Sequence, residues 1–370
     1  MKRMDTKICF VAFDSLPLLI SSETLKYAGG SELKQVLVGR ELVKRGYPVS
    51  FITYDEKNEK KTVDGITIIS CPQSQKYSFI KNFLLYWNSL KKADANIYFQ
   101  GIGSTGVLPF FCLIHRRKYV KWIVSDSNLL FKRFRGGYPF VRKITASLDI
   151  LFAHKIIVQN LFQKEILENK FKKMDCVLIK NPIIIPQDTV DIERNKSYIL
   201  WVGSIKAVKQ PELFLKIARK LPQLKFVMIG GESKGRKAEY DTIEKEAKTI
   251  PNLDFLGFVP YHKIQHYYRN AAIFINTSQI EGFPNTFLES WVSGTPVISL
   301  NVDPDEVICK ERIGFHSKAF EQLLLDVNRL FQDKNLREEM GMNAKKYVQQ
   351  HHDLNMITTE FEQLITSLEK

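Results

Sequence analysis

Cysteine is scarce in this chain of 370 residues: Cys9, Cys71, Cys112, Cys176 and Cys309 lie far apart, and none forms a C-x-x-C pair. Neither a disulfide framework nor a zinc site is implied, and a reducing cytoplasm is the expected compartment. Long apolar runs are missing too. The segment VLPFFCLI (107–114) runs straight into His115, Arg116 and Arg117, well short of the ~20 residues that span a bilayer. The opening MKRM resembles the basic head of a secretory signal, but the apolar stretch from Ile8 ends at Asp14 and reads as a first strand. Carboxylates are outnumbered, 40 Asp and Glu against 54 Lys and Arg, giving a formal charge of +14. Such a surplus calls for polyanionic company: nucleic acid, anionic lipid or phosphate-bearing small molecules. Helix-turn-helix, zinc and RNA-binding aromatic signatures are all lacking, so nucleic acid is not an expected partner. Much of the excess lies between 116 and 180, including Lys118, Lys121, Arg142 and Lys143, which predicts one basic face in one half. Of the seven histidines, none is assigned a catalytic role: His115 reads as a solvated loop residue, and His262, His266, His351 and His352 as members of polar helices.

The remaining composition, 44% hydrophobic and 25% charged, is ordinary globular material, and the length suffices for two cores. Short β-rich runs alternate with longer amphipathic stretches. KICFVAF (7–13), SELKQVLVGRELVKRG (31–46) and PVSFITY (48–54) make a βαβ unit. NIYFQ, KYVKWIV and KIIVQN repeat the theme, and YILWVG (198–203), KFVMIG (225–230), LDFLGF (253–258), AIFINTS (272–278) and PVISLN (296–301) restart it. This alternation predicts an α/β protein of two parallel, doubly wound sheets. NPIIIPQDTVDIERNKS (181–197) is the linker candidate. The domains are expected at 1–190 and 191–350, with a C-terminal helix over 351–370. Doubly wound sheets bind ligands beyond the carboxyl ends of their strands, so the loops after strands are where function should lie.

Four such places carry a signal. QGIGSTG (100–106) has the G-x-G-x-x-G spacing of a dinucleotide turn in Gly101, Gly103 and Gly106, with Asp126 about twenty residues on. The turn follows a middle strand instead of the first, so an NAD-dependent oxidoreductase is a minor alternative. Gly29 and Gly30 precede the helix that starts at Ser31 or Glu32. They form either a plain turn or a place where backbone amides approach a phosphate. In SQIEGFPNTFLESWVSGTPVISLN (278–301), Pro284 belongs in the first turn of a helix, which leaves Glu281 in the loop and carries Glu289 one turn further in. Two carboxylates so placed can accept hydrogen bonds from separate hydroxyl-rich parts of a ligand, while the N–H groups of Phe283, Asn285 and Thr286, in and beside the exposed-looking Gly282–Phe283–Pro284, face its phosphates. That suits a nucleotide sugar. Finally Asp303 and Asp305 form a D-x-D, read as an N-cap with Pro304 opening a helix; no metal is expected.

With GGSE after the first strand, WVGSIKAVKQPELFLKIA opening the second half, EGFPNTFLESWVSGTPVI and a closing AKKYVQQHH, the chain resembles the retaining GT-B glycosyltransferases of family 4 along nearly its whole length. The resemblance implies two Rossmann-like domains facing a central cleft, the first for the acceptor and the second for the donor, with the terminal helix returning to the first. It implies that Glu289 holds the donor ribose, Glu281 contacts the transferred sugar and Lys209 binds the diphosphate, with Gly203 beside them. The family's usual arginine is replaced by Ser204, and Lys206 is the candidate to supply its charge. Where many relatives carry a histidine, this chain has Ser125 and Asp126, so Asp126 is expected to orient a sugar hydroxyl or accept a proton, and Gly103 to line the sugar or acceptor pocket. No cofactor is implied beyond the nucleoside-diphosphate sugar itself. The expected acceptor is a glycan or lipid-linked saccharide, as in polysaccharide and cell-envelope biosynthesis. A GT-B sugar-nucleotide epimerase is the alternative.

FKRFRGGYPFVRK (131–143) interleaves Lys132, Arg133 and Arg135 with aromatic residues around Gly136 and Gly137. It reads either as a solvated loop with its rings packed inward or as a contact with an anionic membrane at the inner face.

Overall fold

The computed structural model describes residues 5–20, 30–55, 60–72, 78–103, 106–130, 140–172, 175–186, 196–233 and 235–369. The chain forms two compact units that part between Pro182 and Ile183, and from Leu354 onward it rejoins the first. The division precedes the expected boundary near 190 because Ile183 is already bound into the second unit. Its amide donates to the carbonyl of His352 at 2.8 Å, and its side chain lies in that unit's core.

The first unit runs β1 (Ile8–Val11), α1 (Leu16–Leu19), α2 (Gly30–Lys44), β2 (Val49–Thr53), β3 (Lys60–Val63), β4 (Ile66–Ser70), α3 (Phe79–Ala93), β5 (Ile97–Gln100), α4 (Val107–Ile114), β6 (Lys118–Trp122), α5 (Ser127–Leu130), α6 (Phe140–Leu151), β7 (Lys155–Val158), α7 (Leu161–Phe171) and β8 (Cys176–Leu178). Its sheet has the order β3-β4-β2-β1-β5-β6-β7-β8, parallel except where β3 turns back on β4. Apart from the edge strands β3 and β8, the strands are buried on both faces, as a helix-covered parallel sheet requires. Phe10, Phe51, Phe99 and Trp122 face the layer of α1 and α2, while Val11, Tyr98, Tyr119 and Ile156 face α3, α4 and α6. Strand order reverses between β1 and β5, which makes the carboxyl ends of those two strands the ligand-binding position of this unit.

The second unit runs β9 (Tyr198–Val202), a 3-10 turn (Ala207–Lys209), α8 (Pro211–Lys220), β10 (Phe226–Ile229), α9 (Lys237–Ala247), β11 (Leu253–Phe255), α10 (Tyr261–Asn270), β12 (Ala271–Asn276), α11 (Asn285–Val292), β13 (Val297–Ser299), α12 (Val307–Lys310), β14 (Gly314–His316), α13 (Phe320–Gln332) and α14 (Lys334–His351). All six strands are parallel, in the order β11-β10-β9-β12-β13-β14. Here the switch lies between β9 and β12. Gly294 has φ +65, and a Cβ on Gly341 of α14 would come within 2.5 Å of the Gly294 carbonyl oxygen, so Gly294 serves the left-handed turn and Gly341 the close approach of α14 to it.

The last helix, α15 (Leu354–Glu369), returns to the first unit. Ile357, Phe361, Leu364, Ile365 and Leu368 form one stripe at helical spacing and are buried. Phe361 meets Trp122 and Phe99 at centroid distances of 5.1 and 5.8 Å. Arg45 at the end of α2 fastens the polar side, donating to Glu362 at 2.5 Å and to the Asn355 carbonyl at 2.7 Å.

Three local expectations change. His352 is not a polar helical residue but fully buried, its ring 4.9 Å from Phe283. Pro304 opens only a 3-10 turn, because Asp305 and Glu306 have φ of 57 and 60, and the Asp303 side chain makes no cap bond to that turn but accepts from the Ile308 amide of α12 at 2.8 Å. Lys121 lies inside the first unit, not on a basic face.

Candidate functional site

Beyond the carboxyl ends of β9 and β12, two loops meet. Gly203 leaves β9 with its amide bonded to the Ile229 carbonyl, and a Cβ on Gly230 would sit 2.5 Å from the Gly203 carbonyl oxygen. The loop through Ser204 and Lys206 then folds into the 3-10 turn ending at Lys209, whose amide donates to the Lys206 carbonyl at 2.9 Å. Thr277, just past β12, fastens this turn to the sheet. Its hydroxyl donates to the Lys209 carbonyl at 2.7 Å and accepts from the buried Trp201 indole at 3.0 Å. The Gln279 amide adds a bond to the Val208 carbonyl. Fixed in this way, the Lys209 ammonium is ion-paired and hydrogen-bonded to the Glu281 carboxylate, and both side chains are mostly buried.

Pro284 caps α11, which begins at Asn285. Gly282, Phe283 and Pro284 are buried, contrary to the exposure expected of them. The Phe283 ring packs inward on His352 and, at 6.2 Å, on Trp291. This anchors the loop, so Phe283 can serve a ligand only through its backbone. Asn285 and Thr286 are half-buried at the helix start.

One turn on, Glu289 is 6% exposed. Its Oε1 accepts from the Tyr261 hydroxyl at 2.8 Å and its Oε2 from the Gln265 amide. Ser293 continues the chain, donating to Gln265 Oε1 at 3.1 Å. Burial pushes the Glu289 carboxyl up to about 7, with the Tyr261 bond pulling the other way. Burial, and then the Glu289 charge, push the Tyr261 phenol up as well. Tyr261 and Gln265 are the site residues that sequence reasoning missed; their i, i+4 spacing on α10 is the signal, since it puts both on one face.

The second unit therefore brings together Gly203, Ser204, Lys206, Lys209, Glu281 and the start of α11. The first unit carries the others separately. Asp126 follows β6 and accepts from Gln163 Nε2 at 2.8 Å and Asn160 Nδ2 at 3.3 Å, both at the start of α7. Gly30 is the first residue of α2. Gly103 has φ +90, and Gly106, with φ +70, caps α4, so each of these glycines of QGIGSTG takes up a left-handed backbone conformation. Gly29, Lys132, Arg133 and Arg135 lie outside the described residues.

Residues 187–347 match the family model for Glycosyl transferases group 1. An uncharacterized glycosyltransferase of Haemophilus influenzae is 23% identical over 333 residues, 86% of this chain and 91% of its own length. The alpha-galactosylglucosyldiacylglycerol synthase of Streptococcus pneumoniae is 23% identical over 231 residues, 57% of this chain and 61% of its own. Among solved structures, Anabaena HepE in complex with UDP-glucose superimposes with a TM-score of 0.77 at 15% identity, covering 98% of this chain and 99% of that one. None of this supports an epimerase. The chain has the GT-B fold, its residues 187–347 match the Glycosyl transferases group 1 model, and the activity these findings support is that of a glycosyltransferase.

Proposed function

We propose that the protein is a retaining glycosyltransferase that moves a sugar from a nucleoside-diphosphate sugar to a glycan or lipid-linked saccharide. The observation that carries this reading is the Lys209–Glu281 ion pair at the switch between β9 and β12, in the loop that leads into α11, the helix that carries buried Glu289. A diphosphate competes with Glu281 for the Lys209 ammonium by charge-assisted hydrogen bonding, and so turns Glu281 toward the sugar hydroxyls. Glu289, held by Tyr261 and Gln265, presents a carboxylate to the ribose. Lys206, Gly203, Ser204 and the backbone at Gly282–Thr286 complete the diphosphate environment. In the transfer, the bond from the anomeric carbon to the diphosphate oxygen breaks. The acceptor oxygen bonds to that carbon on the same face, and its proton passes to a phosphate oxygen of the leaving group. Lys209 and the start of α11 stabilise the charge that develops there. No metal is required by this scheme. The first unit takes the acceptor, with Asp126 and the Gly103 turn as its polar contacts. UDP-glucose bound by HepE and the glycolipid made by the pneumococcal relative support donor and acceptor class respectively.

Calorimetric titration with UDP-, GDP- and ADP-sugars, followed by NMR of the anomeric proton in the product, tests the reading. One nucleotide class should bind and the product should keep the donor's configuration. Inversion, or turnover of the donor to an isomeric sugar nucleotide without acceptor, would overturn it.

A further inference from the structure

The outer surface of α3, α4 and α6 is apolar where a helix layer over a sheet should be polar. Phe110, Leu113 and Ile114 project from α4, with Leu113 62% exposed. Leu84 projects from α3, and Leu151 and Phe152 from the end of α6. α4 packs against both α3 and α6, so these side chains belong to one continuous face. Half-buried Trp87 joins its parts, its ring 6.0 Å from Phe110 and 5.6 Å from Phe83. The sheet-facing Leu90, Leu108, Phe111, Cys112 and Ile150 build the core on this side, and Phe110, Leu113 and Ile114 are not part of it.

The charge on the same segments has one sign. Lys81, Lys91 and Lys92 of α3, Arg116 after α4 and Lys143 of α6 are exposed. The three helices contain a single carboxylate, Asp149, which is fully buried beside Lys121. Asp94, which follows α3, is tied to Lys7 and Arg117. An apolar face on whose three helices the exposed charges are cationic matches one surface in particular, the headgroup and upper acyl region of an anionic bilayer. A second copy of this chain fits worse, because a two-fold pairing would set these cations against themselves.

We infer that α3, α4 and α6 form a docking face for an anionic membrane, on which Phe110, Leu113 and Ile114 enter the acyl boundary while the flanking lysines and arginines meet lipid phosphates. Its use rests on the proposed function, since it delivers a lipid-linked acceptor to the enzyme, but the contact itself does not depend on transfer. The contact expected at 131–143 shares Lys143 with this face, and its residues 131–139 lie outside the described residues.

The experiment is co-sedimentation of the full chain with vesicles of phosphatidylcholine alone or mixed with phosphatidylglycerol. The parent should pellet with the mixed vesicles and lose binding as salt shortens the Debye length to about 3 Å at 1 M. Phe110→Ser, Leu113→Ser and Ile114→Ser together should weaken binding at least about tenfold. Arg116→Ala with Lys143→Ala should weaken it less and reduce its salt sensitivity. Thermal unfolding and nucleotide binding should stay at the parent's values in both variants, which separates a lost contact from a lost fold. Failure of every sugar nucleotide to bind a parent that still pellets would sink the proposed function and leave this face standing. A parent that ignores anionic vesicles, a triple variant that pellets like the parent, or a parent dimer that the triple variant turns monomeric would overturn the inference.

Discussion

The Tyr261 hydroxyl lies 2.8 Å from Glu289 Oε1, and this bond joins α10 to the carboxylate that α11 carries into the interior of the second unit. The bond does not fully offset the loss of water, so the carboxyl is pushed from its ordinary 4.5 up to about 7. An acid whose folded pKa is raised binds protons more tightly folded than unfolded. Its burial is therefore tolerated at low pH and becomes destabilising as pH rises from 4.5 through about 7. Glu289→Gln removes the titration. Its unfolding free energy, measured against the parent's by denaturant titration, should shift in the variant's favour by up to about 3 kcal/mol between those limits. A difference that stays flat across the window would mean that the carboxylate ionises as if in water.

Lys209 and Glu281 should respond to truncation in opposite senses. Lys209→Ala removes a charge-assisted bond to the diphosphate and should weaken nucleoside-diphosphate binding by about 1–3 kcal/mol. Glu281→Ala frees Lys209 from the carboxylate that holds it. Free nucleoside diphosphate should then bind as well as in the parent or more tightly, while turnover of the intact donor falls. Calorimetry paired with transfer rates reads both. Parallel losses of diphosphate affinity in the two variants would contradict the competition between Glu281 and phosphate for one ammonium.

Thr277 stands behind this pair. Thr277→Val keeps the shape but leaves the Trp201 indole N–H and the Lys209 carbonyl without their partner. An unsatisfied buried donor costs about 1–3 kcal/mol, to be read from urea midpoints. Because Thr277 fixes the turn that carries Lys209, the same variant should also lose diphosphate affinity, though it touches no ligand atom. An unchanged affinity would show that the Gln279–Val208 backbone bond suffices to hold the turn.

Much of this site was legible because its parts are chemically conspicuous. Pro284 announces the start of α11, alternating apolar runs announce β9 and β12, and Glu281 and Glu289 stand out as carboxylates near glycine and proline. The inward packing of Phe283 was not legible, because its partner, His352, comes 69 positions later (352 − 283) and is itself a residue that reads as polar. Tyr261 and Gln265 were missed for a related reason: side chains on one helix become ligands for Glu289 only when α10 and α11 are packed together. β3 escaped for lack of apolar content, with KKTV paired along one edge of β4. The basic character assigned to Lys121 failed because net charge does not tell which cations face water.

Lys121 offers the last test. Its ammonium donates to the carbonyls of Gly101 and Gly103 at 3.2 and 3.1 Å and lies 3.6 Å from Asp149 Oδ2, with the two side chains 6% and 0% exposed. Burial holds its pKa below the ordinary lysine value, and the Asp149 charge opposes that shift. The lysine thus stands beneath the glycine turn that follows β5, beside the switch point of the first unit, and keeps its carbonyls turned inward. Lys121→Met would strand Asp149 in the core without its cation. The loss of one member of a buried ion pair costs about 3–5 kcal/mol, whereas replacing both members can be nearly neutral. Lys121→Met with Asp149→Asn should therefore recover most of the stability that Lys121→Met loses, a coupling that a double-mutant cycle in urea measures directly. Additive losses, with no recovery in the double variant, would show that the two groups do not share their burial. If stability returns in the double variant while transfer does not, the role of Lys121 is to shape the Gly101–Gly103 turn for the acceptor, over and above holding Asp149.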